Sequence, residues 1–138
     1  MRLYFVDTWF LIAEVHRFDA HHGRSGRIRA SLTSAQFVTH DAVLTEFLTF
    51  FASEGPFWRQ RAATIVRGLA LDGAFEVVPA DRPLFVSALA LYEKRPDKGY
   101  SLVDCMSMVL MQDRGITHVL TNDHHFRQEG FVVVSDAP

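Results

Sequence analysis

The sequence is poor in cysteine and has no long apolar segment. Cys105 is the single cysteine, so no disulfide can form within the chain and no cysteine pair can bind zinc. The apolar start at residues 3–6 ends at Asp7, which is too short for a signal peptide, and no later run reaches membrane-spanning length. We therefore expect a soluble protein of the reducing cytoplasm.

The sequence also lacks a strong net charge. The 14 basic and 16 acidic residues give −2, so no global positive field attracts nucleic acid and any RNA contact must be local. Apolar residues make up 49% of the 138 residues and include 12 Phe, enough for one dense core. No repeat, linker or low-complexity tract divides the chain, so we expect a single domain over residues 1–138.

Short apolar segments alternate with longer segments of helical period, which predicts an α/β fold with a short, mostly parallel central sheet. The predicted strands are residues 2–6, 36–38, 75–78, 118–121 and 131–134. Predicted helices begin after Asp7 and near Asp19, Thr39, Pro56, Asp81 and Ser101, where a capping residue or a proline precedes the helical pattern. Residues 24–27 and 93–99 are expected to form loops or frayed helix ends.

Most of the acidic residues have an ordinary explanation. Capping, turn or solvent-exposed positions account for Asp41, Asp81, Asp72, Asp97, Asp136, Glu14, Glu93, Glu129 and Asp113. Two of the remaining acids end predicted strands. Asp7 follows residues 3–6 and Asp123 follows residues 119–121, so both should lie at the carboxyl edge of the sheet, where ligands bind in open parallel sheets. For Asp7 alone, an N-cap would explain the position equally well.

Glu46 and Asp104 lie in strongly apolar helical segments, residues 43–51 and 102–111. Asp104 also suits a first helical turn, but this does not explain its apolar neighbours. No Lys or Arg stands three or four residues from either acid, and a buried ionised carboxylate costs several kcal/mol unless it is paired or bound to a metal. A partner must come from elsewhere in the fold.

Four acids without a local countercharge suggest a shared cation. Oxygen ligands favour Mg²⁺ or Mn²⁺ over zinc. The adjacent pairs His21-His22 and His124-His125 do not have the spacing of a common zinc motif, so surface positions or substrate contacts are the expected roles.

The order and context of the four acids resemble the PIN-domain ribonucleases of the VapC toxin type, over residues 3–134. The motifs that carry the resemblance are Phe5-Val6-Asp7-Thr8, Leu44-Thr45-Glu46-Phe47, Ser101-Leu102-Val103-Asp104-Cys105 and Leu120-Thr121-Asn122-Asp123-His124-His125-Phe126. Each motif is weak alone, and the ordered set is more specific. The resemblance implies a three-layer α/β/α domain in which Asp7, Glu46, Asp104 and Asp123 hold one or two Mg²⁺ ions, with Mn²⁺ as a substitute.

The activity implied is endonucleolytic hydrolysis of RNA by metal-activated water, leaving 5′-phosphate and 3′-hydroxyl ends. Thr8 and Thr121 carry hydroxyls that can orient the acids, although a helix start and a strand residue explain them too, and Ser101 is expected to cap its helix. The basic groups at residues 24–29 and 59–67 fit solvated helix faces equally well, so no RNA-binding residue is assigned.

The resemblance further implies a toxin of a VapBC toxin–antitoxin pair, a homodimer that also binds a small antitoxin. The aromatic residues of the segment 47–58 support a second interface, and an Arg or Lys of the antitoxin would suit the acidic pocket.

Two other functions remain open from the sequence. A phosphatase with Asp7 as nucleophile would usually have a second Asp where this chain has Trp9, and a convincing late Lys after a strand is missing. A non-catalytic RNA-binding or scaffold PIN module is the other, and measured turnover would separate it from an enzyme.

Overall fold

A computed structural model describes residues 1–135, which contain a five-stranded sheet with every strand pairing parallel. The strands are β1 (Arg2–Val6), β2 (Ala35–His40), β3 (Phe75–Val78), β4 (His118–Leu120) and β5 (Val132–Val133). Their order across the sheet is β3-β2-β1-β4-β5. The chain therefore first adds β2 and β3 on one side of the central strand β1 and later adds β4 and β5 on its other side.

Within residues 1–135, seven helices connect and cover these strands. They are α1 (Thr8–Val15), α2 (His22–Ser31), α3 (Asp41–Phe51), α4 (Pro56–Leu71), α5 (Arg82–Lys94), α6 (Leu102–Arg114) and α7 (His125–Gln128). Among residues 1–135 no helix is both long and apolar enough to cross a membrane.

The helices lie on both faces of the sheet because successive strand side chains point to opposite sides. Phe5 packs with Leu84 of α5 and Met108 of α6 in one core cluster. Its neighbour Val6 packs with residues of α1, α3 and α4 in the other, which includes Phe47. The predicted three-layer α/β/α architecture is confirmed.

The predicted strands 2–6 and 75–78 agree with the structure residue for residue, and the other three agree to within a few residues. The loop or frayed helix end predicted at residues 24–27 is wrong, because this stretch lies inside α2. Ser25 and Ile28 are buried, and this burial overrides the low helix propensity of Gly26. The short helix α7 was not predicted, and Asp136 lies outside the described residues.

Two acids expected to be solvated are partly buried ion pairs instead. Glu14 lies 3.0 Å from Arg29, and burial raises the pKa of Glu14 to about 7 although the guanidinium opposes this. Glu129 lies 2.7 Å from Nε of Arg95. In both cases the arginine is distant in sequence, which is why neighbouring residues gave no sign of the pairing.

His40 joins two helices from a fully buried position at the end of β2. Its Nδ1 accepts from the backbone N–H groups of Ala42 (3.2 Å) and Val43 (3.4 Å), so it caps α3. Nδ1 can accept only when it is unprotonated, which leaves Nε2 as the donor to Ser107 Oγ of α6, 2.9 Å away. Neutral imidazole thus connects α3 to α6, and burial lowers the pKa of His40 to about 4.

This lowered pKa predicts an acid-dependent loss of stability. In the unfolded chain His40 takes up a proton near pH 6.5, whereas in the folded protein it stays neutral until about pH 4. Its contribution is therefore complete above pH 6.5 and is lost as the pH falls through this window. Between pH 7 and pH 5 the loss is about 2 kcal/mol.

The matched variant is His40→Asn, which keeps a capping oxygen but does not titrate. Urea unfolding of both proteins at several pH values should give curves that diverge, with wild type losing more stability toward pH 5. Parallel curves would show that His40 is not held neutral.

Candidate active site

Asp7 lies at the C-terminal end of the central strand and is 3% exposed. Its backbone N–H donates to Leu120 O at 3.0 Å, which extends the contact between β1 and β4 by one residue. It occupies the N-cap position of α1, but its side chain makes no capping hydrogen bond. Instead, Thr121 Oγ1 donates to Asp7 Oδ2 at 2.7 Å. Capping therefore does not account for this carboxylate.

Asp123 reaches the same edge from the loop after β4. Its backbone N–H donates to Thr121 Oγ1 at 3.0 Å, so one threonine hydroxyl contacts both Asp7 and Asp123. Asp123 Oδ1 in turn accepts from the backbone N–H of His125 at 3.0 Å, where α7 begins. These bonds hold the loop close to the end of β1.

Asp104 enters the site from the first turn of α6. Ser101 Oγ accepts from the Asp104 N–H, and Asp104 Oδ2 accepts from the Ser101 N–H, both at 3.0 Å. This is the reciprocal capping box of a helix start, and it confirms the prediction that Ser101 caps its helix. The box also fixes the direction of the Asp104 side chain, which is 14% exposed.

Glu46 approaches from α3, where it is half-buried rather than enclosed. Val43, Leu44, Phe47 and Phe51 form the buried face of this helix. The Glu46 Oε1 atom accepts from Thr8 Oγ1 at 2.5 Å, so the hydroxyl next to Asp7 in sequence orients a second acid. Thr8, the residue after Asp7, thus bonds Glu46. Thr121, two residues before Asp123, bonds Asp7.

His125 lies between two of the acids, whereas the sequence predicted a surface position or a substrate contact for it and neither of these two contacts. Its Nδ1 is 3.3 Å from Asp104 Oδ2 and 3.2 Å from Asp123 Oδ2. The edge of the Tyr100 ring packs against the imidazole, with the ring centroids 5.4 Å apart. The signal available in the sequence was a histidine two residues after Asp123, but the contact with Asp104 depends on the tertiary fold.

Electrostatic interactions among the acids shift the pKa values of Asp7 and Glu46. Burial and, to a smaller extent, the negative charges of Asp104 and Asp123 raise the pKa of Asp7 to about 7, against the opposing effect of hydrogen bonds from Thr121 and the Thr8 backbone. Burial also raises the pKa of Glu46, with a further contribution from Asp104 and an opposing one from the Thr8 hydroxyl. Charge interactions therefore connect Asp104 to both Asp7 and Glu46.

The acids form an extended arrangement instead of one tight cluster. In the part of the chain that the structure describes, the group whose candidate ligand atoms all lie within 4.8 Å of one another is Asp123, His124 and His125. Asp104 adjoins this group, since its Oδ2 atom lies 3.3 Å from His125 Nδ1, and Thr121 Oγ1 connects Asp7 to the Asp123 backbone. Oxygen atoms predominate in the arrangement as a whole, with the imidazole of His125 between Asp104 and Asp123.

Comparison with known proteins identifies the family. The sequence profile of the PIN domain matches residues 4–131. The chain is 30% identical over 130 residues to the 23S rRNA-specific endonuclease VapC20 of Mycobacterium tuberculosis strain H37Rv, covering 94% of this chain and 96% of that protein.

Solved structures give the same result for the fold. The crystal structure of M. tuberculosis VapC20, a sarcin–ricin loop cleaving toxin, superposes with a TM-score of 0.85 at 30% identity, over 96% of this chain and 98% of that one. FitAcB from Neisseria gonorrhoeae gives 0.70 at 15% identity, over 97% of both chains. A toxin–antitoxin complex from Klebsiella pneumoniae gives 0.67 at 13% identity, over 97% of this chain and 98% of that one.

The four acids all lie inside residues 4–131, which the family profile matches. The parallel sheet and its two helical layers agree with the fold of the solved VapC20 structure. The chain belongs to the PIN domain family.

Proposed function

We propose that this protein is a Mg²⁺-dependent endoribonuclease, the toxin of a toxin–antitoxin pair, with Asp7, Glu46, Asp104 and Asp123 as its catalytic and metal-binding residues. The observation that supports this most is the burial of Asp7 beside the charges of Asp104 and Asp123. Such an arrangement is unfavourable for a fold but useful for holding a divalent cation. The relative that acts on 23S rRNA makes ribosomal RNA the first substrate to test. RNA cleavage also places the protein's action in the cytoplasm.

The residues present fit a hard divalent cation. Four carboxylates supply oxygen atoms, and burial raises the pKa of the neighbouring Cys105 to about 11, so it stays a thiol, which favours Mg²⁺ or Mn²⁺. Asp7, Glu46, Asp104 and Asp123 would hold it, and His125 is a further candidate through its contacts with two of them. A bound divalent cation neutralises the acids, polarises the scissile phosphate and acidifies water.

The chain's own groups prepare the site. Thr121 holds Asp7 and the Asp123 loop, Thr8 holds Glu46, and Ser101 fixes Asp104. These bonds orient the carboxylates before substrate arrives and so reduce the reorganisation that binding requires.

Two further groups are placed to handle the substrate's charge and protons. Because the Nδ1 atom of His125 faces carboxylate oxygens on two sides, it carries the hydrogen, and Nε2 is left as an acceptor for a ribose hydroxyl or a water molecule. Arg24 donates to Asn122 Oδ1 at 2.8 Å, which brings a guanidinium next to the Asp123 loop. It offsets the repulsion between the acids and the RNA backbone.

Removing either of two central acids should abolish cleavage without unfolding the protein. Asp7→Asn and Asp104→Asn keep the side-chain shape, and each relieves repulsion among the carboxylates. We expect loss of RNA cleavage by at least a hundredfold, with a urea midpoint equal to or above that of wild type in metal-free buffer.

The control is Asp113→Asn, an exposed acid at the far end of α6, which should cleave like wild type. Activity of the Asp7 and Asp104 variants equal to wild type, in preparations free of contaminating nuclease, would reject the assignment. The same assay separates an enzyme from a non-catalytic scaffold, which would show no turnover in any form.

Mg²⁺ should stabilise the folded protein, because a ligand that binds only the native state raises its stability. In thermal unfolding we expect the Tm of wild type to rise with Mg²⁺ and with Mn²⁺. Asp7→Asn should show a much smaller rise, and Asp113→Asn the same rise as wild type. A rise of equal size in wild type and Asp7→Asn would place the cation elsewhere.

An antitoxin is the expected partner, because an inserted Arg or Lys gains both Coulomb energy and hydrogen bonds among these acids and displaces the cation. Co-expression with a small adjacent open reading frame should give a complex on size-exclusion chromatography and relieve the growth arrest caused by this chain alone. If nothing co-purifies and the chain neither slows growth nor cleaves cellular RNA, the toxin role is wrong, although the PIN fold stands.

We also propose that the protein forms a homodimer, and exposed apolar residues support this more than the aromatic content of segment 47–58 does. In the segment 47–58, Phe47 and Phe51 are fully buried in their own domain, and the exposed aromatic surface comes from Phe57, which is 70% exposed. The better support is the exposed stripe of Val86, Leu89 and Tyr92, which recur at helical spacing along α5.

A further inference from the structure

Two clefts flank the acidic site, and Trp9 is the one residue that lines both. The first cleft has a volume of about 320 Å³ and is lined by Trp9, Asp19, His21, Asn122, Asp123 and His124. The second, of about 260 Å³, is lined by Thr8, Trp9, Ile12, Glu46, Thr49 and Phe50. The indole of Trp9 therefore lies between the two clefts. The first cleft contains Asp123 and the second contains Glu46, both proposed catalytic acids.

Trp9 is held in place by a neighbouring ring, and about half of its surface remains exposed. It lies in the first turn of α1, two residues after Asp7, and packs edge-to-face with Phe50 of α3 at a centroid distance of 5.7 Å. Even so, 53% of its surface is exposed. An aromatic ring that is fixed on one side and open to solvent on the other provides a preformed surface for another flat ring.

We propose that Trp9 is a binding residue on which an unpaired nucleobase of the substrate stacks beside the scissile phosphate. The inference rests on the proposed ribonuclease function. RNA that lies across Asp123 and Glu46 must pass the indole, because it separates the clefts that contain these acids. Unpaired bases in loops and single strands are commonly recognised by stacking on aromatic side chains.

The chemistry of the clefts favours RNA over a protein segment as the occupant. Apart from Trp9, the side chains that line the first cleft carry polar groups, and Arg24 next to it fixes the Asn122 amide by donating to its oxygen at 2.8 Å. This leaves the amide N–H donors and the Asp19 carboxylate as hydrogen-bonding groups suited to a base edge. The second cleft is mostly apolar through Ile12 and Phe50, so it can hold a base by contact but has little to read it with.

The two clefts therefore predict unequal selectivity around the cut. A nucleotide on the Asp123 side should be chosen by base identity, and one on the Glu46 side should be accepted with little discrimination. On both the Asp123 side and the Glu46 side, contact with the Trp9 indole supplies the affinity for RNA.

The test uses Trp9 as its own fluorophore. Replacing Trp58, the other tryptophan, with Phe leaves one reporter, and an added Asp104→Asn change keeps the RNA intact. The probes are a ten-nucleotide single-stranded RNA of mixed sequence and an abasic ten-mer with the same number of phosphates. We expect the RNA to quench Trp9 fluorescence and the abasic ten-mer not to do so.

Affinity and kinetics are then compared among variants that keep Trp58. Trp9→Ala should weaken binding of the RNA ten-mer by roughly tenfold or more and raise KM for cleavage, whereas Trp9→Phe should restore most of both. The matched control is Phe57→Ala, which removes an aromatic that is 70% exposed on α4 and lines neither cleft. It should bind and cleave RNA like wild type.

The outcomes separate this inference from the function beneath it. If wild type cleaves RNA while Trp9→Ala binds and cleaves equally well, or if the abasic ten-mer quenches as strongly as RNA, the stacking role is overturned and the nuclease stands. If Trp9→Ala weakens only the antitoxin complex, Trp9 contacts protein and the inference fails. If wild type cleaves no RNA, the proposed function itself is wrong.

Discussion

The buried carboxylate of Asp7 sets the constraint around which this end of the molecule is arranged. Helices cover both faces of the central strand, and Asp7 at its end is only 3% exposed, so its carboxylate must be satisfied by groups of the fold or by a ligand. Thr121 supplies one hydrogen bond, whereas Asp104 and Asp123 add like charge. The site is thus electrostatically incomplete by itself, and this makes a divalent cation, or an inserted basic side chain, favourable there.

The surrounding structure compensates through local hydrogen bonds that give each acid a fixed direction. His40 holds α3 to α6 through Ser107, and these are the helices that carry Glu46 and Asp104. The capping box at Ser101 stabilises the start of α6 and orients Asp104 with the same pair of bonds. Stability and placement of the acids therefore come from shared contacts, and a change that loosens the helix starts would also disturb the site.

Much of this could be predicted from the sequence because it depends on local pattern. Strand 2–6 followed by Asp7, and Ser101 three residues before Asp104, place acids by rules that act within a few residues. Contacts between distant segments could not be predicted in this way. His125 between two carboxylates, the pairing of Glu14 with Arg29, and the bond from His40 to Ser107 all depend on tertiary packing. The helix across residues 24–27 formed for the same reason, since burial of Ser25 and Ile28 outweighs local propensity.

The central claim is that one divalent cation is shared by acids from β1, α3, α6 and the loop after β4. Anomalous diffraction from a crystal soaked in Mn²⁺ locates that cation directly, whatever the RNA target. The account predicts a peak within about 2.2 Å of a carboxylate oxygen of Asp7, with Asp104 or Asp123 as a second ligand. A peak bound only by the group Asp123, His124 and His125, with Asp7 uninvolved, would contradict it.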